Sequence, residues 1–347
     1  MRSEEPRNTM KSKRAAWNII NIILSTSFML AFIPLIWWAA PKSVGDYADL
    51  VSYNWIYTLA YTRRLDVMIG FGTFEPGFTY FLWLFSKSGI PFLTFVFLIK
   101  TVFMTSVFVF IRNVFPSFGP FNILFSIILL LYAPFVSMTN NVVRQGAAMS
   151  FVFFFLAFSM SKKWQGMGSK AKILLSVVVF GIASLFHSSV LILMPTWLLS
   201  RVITIRTALT IWFIIAPLYV VNFIGLSSVI AYIFRPLTSL NRSVNLSYTN
   251  YELGFKPAFL LASLMPVIAY LLIKLLKVTP DRKYNNLFNF YLILNGFGML
   301  MSYLPYHDRI FLYSWSFIPF LLVGSMQLTL KQIRFHWNNP SKINHHT

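Results

Sequence analysis

The sequence contains no cysteine, which rules out disulfide staples, thiolate zinc sites and a cysteine nucleophile. Charge is scarce: Asp, Glu, Lys and Arg make up 11% of the 347 residues, against 57% hydrophobic residues and a mean hydropathy of +0.67. A soluble core of this length needs far less apolar sequence, so the chain reads as an integral membrane protein. Negative charge is scarcer still, with nine acidic residues against 29 basic ones. A basic excess invites a nucleic-acid reading. Here, however, the cations sit in short loops between apolar runs, where they set orientation and meet anionic lipid headgroups. Membrane lipid is therefore an expected partner and nucleic acid is not. The chain has no HExxH, no paired DxD, no carboxylate cluster in one segment and no glycine-rich nucleotide loop. Metal-independent chemistry without a cofactor is expected.

Apolar runs at 17–39, 92–111, 121–138, 143–160, 171–186, 188–200, 207–225, 257–277, 286–304 and 310–330 predict an all-α, polytopic transmembrane helical bundle. It would have about ten spanning helices plus outer-face amphipathic or re-entrant helices. The whole of 1–347 is read as a single membrane domain. The first run follows a basic lead and is too long for a signal-peptide core, so it is expected to stay as a span. Most lysines and arginines fall on the side holding the basic N-terminus (1–16) and the tail (331–347), which places both in the cytoplasm. Residues 40–91, with amphipathic helices, and 226–256 then form outer-face loops. Lys100 alone falls inside a span, where a charge is costly unless paired or snorkelling.

The ionisable residues of the outer side form the candidate site. Arg144, in "VVRQGAAM", opens an apolar helix, where the helix dipole disfavours a cation. An arginine among free backbone N–H groups suits a phosphate or diphosphate, and Asn140, Asn141 and Gln145 add polar contacts. Snorkelling to headgroups is the other reading. His187, in "SLFHSSVLILMP", has an imidazole suited to general-base work or to hydrogen bonding a phosphate, or it is a satisfied packing histidine. Arg309, in "YHDRIF", either pairs locally in a tight turn or points into the same cavity as Arg144. On an outer helix over 45–66, Asp46, Asp49, Tyr53, Tyr57, Tyr61 and Arg64 share a face, with Leu50, Ile56 and Leu59 nearer the other. Tyrosines beside carboxylates suit sugars, and they equally suit an interfacial aromatic belt. Glu75, in "FEPGF", sits on a proline-glycine turn, either as a rigidly held acid or as part of an exposed turn. Glu75, His187 and Asp46 are the candidates for a base.

The ordered segments "GDYADLVSY", "FEPGF", "VVRQGAAM" with "SKK", "SLFHSSVLILMP" and "DRIFLY" resemble the EpsG-type and Wzy-like bacterial exopolysaccharide and O-antigen polymerases over roughly 45–315. The resemblance implies a glycosyltransferase of the bacterial cytoplasmic membrane that joins undecaprenyl-diphosphate-linked oligosaccharide repeat units on the outer face. It would assign Arg144 and Arg309 to the carrier diphosphate and place Asp46, Glu75 and His187 around the reacting sugars. A chain-length regulator is a further candidate partner. Direct displacement would invert the anomeric configuration. Three rival functions remain: an O-antigen ligase-like transferase using the same carrier, a polysaccharide O-acyltransferase, and a flippase or exporter. The acyltransferase reading is weakened because 17–45 holds no histidine. The transporter reading is weakened because ionisable residues gather at one face rather than along a path.

Overall fold

The computed structural model describes residues 32–115, 121–221, 254–302 and 307–338. These are all helix and connection, with no strand among them. Nearly all of the expected loop 226–256 (up to 253), most of the first expected span and the N-terminal cluster lie outside the described residues.

A short helix α1 (32–38) leads through a 3₁₀ turn, Val44–Asp46, into α2 (Ala48–Thr62), α3 (Leu65–Gly70) and α4 (Pro76–Lys87). The long α5 (Phe92–Val114) packs along α8 (Val143–Ser159). Between them come α6 (Phe121–Leu129), α7 (Ala133–Val136) and one π-helical turn, Ser137–Asn141. The short α9 (Lys162–Gly166) leads to α10 (Ser169–Ser184), which crosses α8. A 3₁₀ turn, Ser188–Ile192, then opens α11 (Leu193–Val202), followed by α12 (Ile205–Val221). The last four helices are α13 (Pro257–Leu275), α14 (Arg282–Leu300), α15 (His307–Trp315) and α16 (Ile318–Asn338). Helix α12 packs on α14, and α13 on α16.

Three segments are long and apolar enough to cross a membrane: Phe92–Val114, Pro257–Leu275 and His307–Arg334. A fourth arises if Ala133–Asn141 and Val143–Ser159, bent by 118°, form one broken span. The helical membrane architecture stands, but the expected count of about ten crossings is not reached among the described residues. The reasons are local. The expected run 121–138 breaks into α6, α7 and the π turn. Helix α10 has 16 residues, α12 has 17 and α11 has ten. At about 1.5 Å per residue, none of these reaches about 30 Å of hydrocarbon unaided.

Phenylalanines fill the centre. Phe103 meets Phe135 edge-on at 5.1 Å and Phe110 meets Phe320 at 5.0 Å, with Phe153 and Phe317 closing the cluster. Edge-to-face packing adds to the gain from burial alone. Polar groups tie the helices where lipid offers no hydrophobic drive between them. Asn295 accepts from Trp212 Nε1 at 2.9 Å and donates to Ser263 Oγ at 2.8 Å and Ser314 Oγ at 3.1 Å, joining α12, α13, α14 and α15. Lys100, buried in α5, is satisfied in the same way: its Nζ donates to Ala39 O at 2.5 Å and Asn140 Oδ1 at 2.9 Å. The lysine expected to be costly unless paired is thus paired, and it pins the π turn at the bend to the segment at Ala39.

Candidate functional site

The bend before α8 aims Arg144 inward. Val142 leaves the helical region (φ −89°, ψ 60°), so α8 starts afresh with Arg144 in its first turn. Gly146 permits the fold-back, because a Cβ there would collide with the Met138 carbonyl oxygen. A second close approach sets the acid. Pro76 starts α4, and Gly77 lies against the end of α10, where an added Cβ would fall 2.7 Å from Leu185 Cβ. Phe78 N donates to Leu185 O at 3.1 Å. The "FEPGF" turn is therefore docked on the segment carrying His187.

Glu75 is the hub. Its Oε2 accepts from Arg144 Nη1 at 2.5 Å. Its Oε1 accepts from Ser188 N at 2.9 Å and Ser188 Oγ at 3.1 Å, with His187 Nδ1 3.3 Å away. The His187 contact is poorly directed, so Nδ1 lies beside the carboxylate without a formed hydrogen bond. Burial alone would raise the Glu75 carboxyl. The His187 ring, the Arg144 charge and the Ser188 amide outweigh it and hold the group well below the usual carboxylate range. Burial pushes the His187 imidazole down, although Glu75 pulls the other way. At neutral pH the centre is therefore an ionised carboxylate, a guanidinium and a neutral imidazole.

Arg144 has a cradle of its own. Its guanidinium lies over the Phe74 ring at 4.6 Å and over Tyr53 at 5.8 Å, and Nε donates to Tyr53 Oη at 3.4 Å. Arg309, on α15, donates from Nη2 to Asp49 Oδ2 at 3.0 Å. The two pairs adjoin. Asp49 and Tyr53 are one turn apart on α2, Gln145 Nε2 donates to the Arg309 carbonyl at 2.7 Å, and both guanidinium charges act on Tyr53 and His187. The Arg144–Glu75 pair is the more enclosed, at 14% and 10% side-chain exposure against 24% and 30% for Arg309–Asp49. It is the pair whose charges water screens least.

Of the residues singled out from sequence, Glu75, His187, Arg144, Arg309, Asp49 and Tyr53 come together. The others serve locally. Asp46 is exposed, and its Oδ2 caps the 3₁₀ turn through Lys42 N at 2.8 Å and Ser43 N at 2.9 Å. Tyr57 is buried between Phe92 and Phe95 and donates to Ile90 O at 2.6 Å. Asn141 Oδ1 accepts from Asp49 N at 3.2 Å, satisfying an orphan amide in the first turn of α2. Gln145 is fully buried and positions Arg309 rather than facing solvent.

The expected face of α2 is also corrected. Leu50 and Ile56 are buried with Tyr53 and Tyr57, while Tyr61 is 60% exposed and Arg64 pairs with Asp66 at the surface. Of the two readings of "YHDRIF", the tight turn gives way to helix from His307 onward, and Arg309 reaches Asp49 on α2. Sequence reading missed Phe74 as the floor under Arg144, although it opens the quoted "FEPGF". It also missed the contact of Tyr313 Oη with Ser189 Oγ at 2.8 Å, which ties α15 to the His187 segment. Among the described residues no three His, Asp or Glu side chains converge as a metal ion would need.

No curated protein and no solved structure matches this chain. The model of the EpsG family does match, over residues 22–334. That stretch includes every segment that meets at Glu75 and Asp49, and it upholds the resemblance read from the quoted segments. The chain belongs to the EpsG family and is a membrane protein of polysaccharide biosynthesis.

Proposed function

We propose that this protein is a polysaccharide polymerase that joins oligosaccharide repeat units carried on undecaprenyl diphosphate, at the outer face of the cytoplasmic membrane. The observation carrying this reading is the convergence of two arginines, an ionised carboxylate and a neutral imidazole from four separated segments of an EpsG-family chain. In the reaction, an acceptor hydroxyl attacks the anomeric carbon of the donor sugar. The new C–O bond forms as the bond to the diphosphate breaks, and the diphosphate departs with the electron pair. Arg144 and Arg309 stabilise the charge that builds on it. The hydroxyl proton passes to His187. Its Nδ1 faces Glu75, which leaves Nε2 for the substrate, and the carboxylate favours the imidazolium that forms. Glu75 itself is a weak proton acceptor while Arg144 holds it. Single displacement inverts the anomeric configuration.

Mass analysis of carrier-linked saccharides tests the reading, in cells with the protein and in cells carrying the Arg144→Ala variant. Carrier-linked single repeat units accumulate in the variant if the protein is a polymerase. Long carrier-linked chains awaiting transfer would assign it to a ligase instead.

A further inference from the structure

We infer that Glu75 is a resident counter-anion, its carboxylate filling the Arg144 guanidinium until a lipid diphosphate displaces it, so that donor binding is an exchange of anions. The inference rests on the diphosphate reading above and adds the order of events. Both partners keep an anchor when the pair opens. Only Oε2 of Glu75 is committed to Arg144, at 2.5 Å, while Oε1 is held separately by Ser188 N and Oγ at 2.9 and 3.1 Å. Arg144 is held without Glu75 by the Phe74 face at 4.6 Å and by Tyr53 Oη at 3.4 Å. The Arg144 side chain keeps 14% exposure, so it is not sealed from an incoming anion. A diphosphate brings more charge and more acceptor oxygens than one carboxylate and competes well for a planar fork of donors. Exchange also has a consequence next door. The released charge faces His187 Nδ1, 3.3 Å from Oε1. Donor arrival thus frees the carboxylate to support the imidazolium, and the base is armed only when the donor is in place.

The test is titration of the purified full-length protein in lipid nanodiscs with farnesyl diphosphate. Wild type should bind and Arg144→Ala should not; equal binding by the two removes the diphosphate reading and the exchange with it. If the resting pair is closed about nine-tenths of the time, Glu75→Gln binds about tenfold tighter than wild type while losing turnover. Glu75→Asp keeps the charge but shortens its reach, and should tighten binding to a smaller degree; it carries the test if the Gln variant does not fold. A carboxylate with a purely structural role predicts the reverse, weaker binding as the site loosens. Unchanged or weaker binding in the folded Glu75 variants, with wild type still discriminating against Arg144→Ala, overturns the exchange alone.

Discussion

Asp49 and Tyr53 stand one turn apart on α2, and each holds a different arginine: Arg309 at 3.0 Å and Arg144 at 3.4 Å. One helix therefore sets the spacing of two guanidiniums whose positions are 165 residues apart in the chain. Rotating or shifting α2 would separate them.

Arg144 is not replaceable by lysine. One planar guanidinium lies on Phe74 and meets both Glu75 and Tyr53, which a point-charge ammonium cannot reproduce. Arg144→Lys is expected to lower polymer formation about 100-fold, the usual cost of one lost charge-stabilising donor. Polymer length profiles measured at matched protein levels check this.

The two close backbone approaches predict a steep contrast among glycines. Gly146→Ala would force the Met138 carbonyl away from α8, and Gly77→Ala would push Leu185 off α4. Gly181 has nothing within 4 Å of an added Cβ. The first two variants should lose folded protein on detergent chromatography, while Gly181→Ala elutes as wild type.

Lys100 should matter for stability although it lies outside the cluster. Its ammonium is buried against Ala39 O and Asn140 Oδ1, and Lys100→Met removes both bonds. Charged hydrogen bonds contribute roughly 1.5–3 kcal/mol each, so a loss of about 2 kcal/mol or more is expected. The thermal midpoint in detergent reads it. Lys100→Gln, which keeps a donor, should lose less.

Acid should weaken the fold through Glu75. Its folded-state pKa lies below its ordinary value of about 4.5, so its contribution is fully present above that pH and falls away as pH drops below it. Wild type should lose thermal stability between about pH 4.5 and pH 3 more steeply than Glu75→Gln, which has no proton to take up there. Parallel melting curves for the two proteins would remove this role.

The orientation can be tested on a clean background, since the chain has no cysteine. Arg64 and Lys331 are both exposed. Cysteines placed at these positions should react with a membrane-impermeant reagent from opposite sides, Arg64→Cys from outside. Same-sided labelling would overturn the expected topology.

Much of this was legible in one dimension. A helical membrane protein follows from composition alone, because 57% apolar sequence in long runs has no other stable solvent. Glu75, Arg144, His187 and Arg309 were conspicuous because charged residues at the edge of apolar runs are costly to keep. The bounds of the spans were less legible. Hydropathy sums over a window and does not register a π turn, so the break at Ser137–Val142 is invisible to it. The face of α2 was misread for a similar reason: amphiphilic tyrosines fit either side of a helix, and only the neighbours decide.

The sequence by itself determined the solvent, the helical class and the few polar groups that had to find partners. Tertiary structure alone decided which partners they found. Asp46 and Glu75 are both acids of the expected outer loop, yet one caps its own turn and the other meets Arg144, 69 positions away. The difference is backbone path. Gly77 lets α4 close on Leu185 beside His187, Gly146 lets α8 fold back on Met138, and such contacts depend on packing in three dimensions rather than on spacing along the chain.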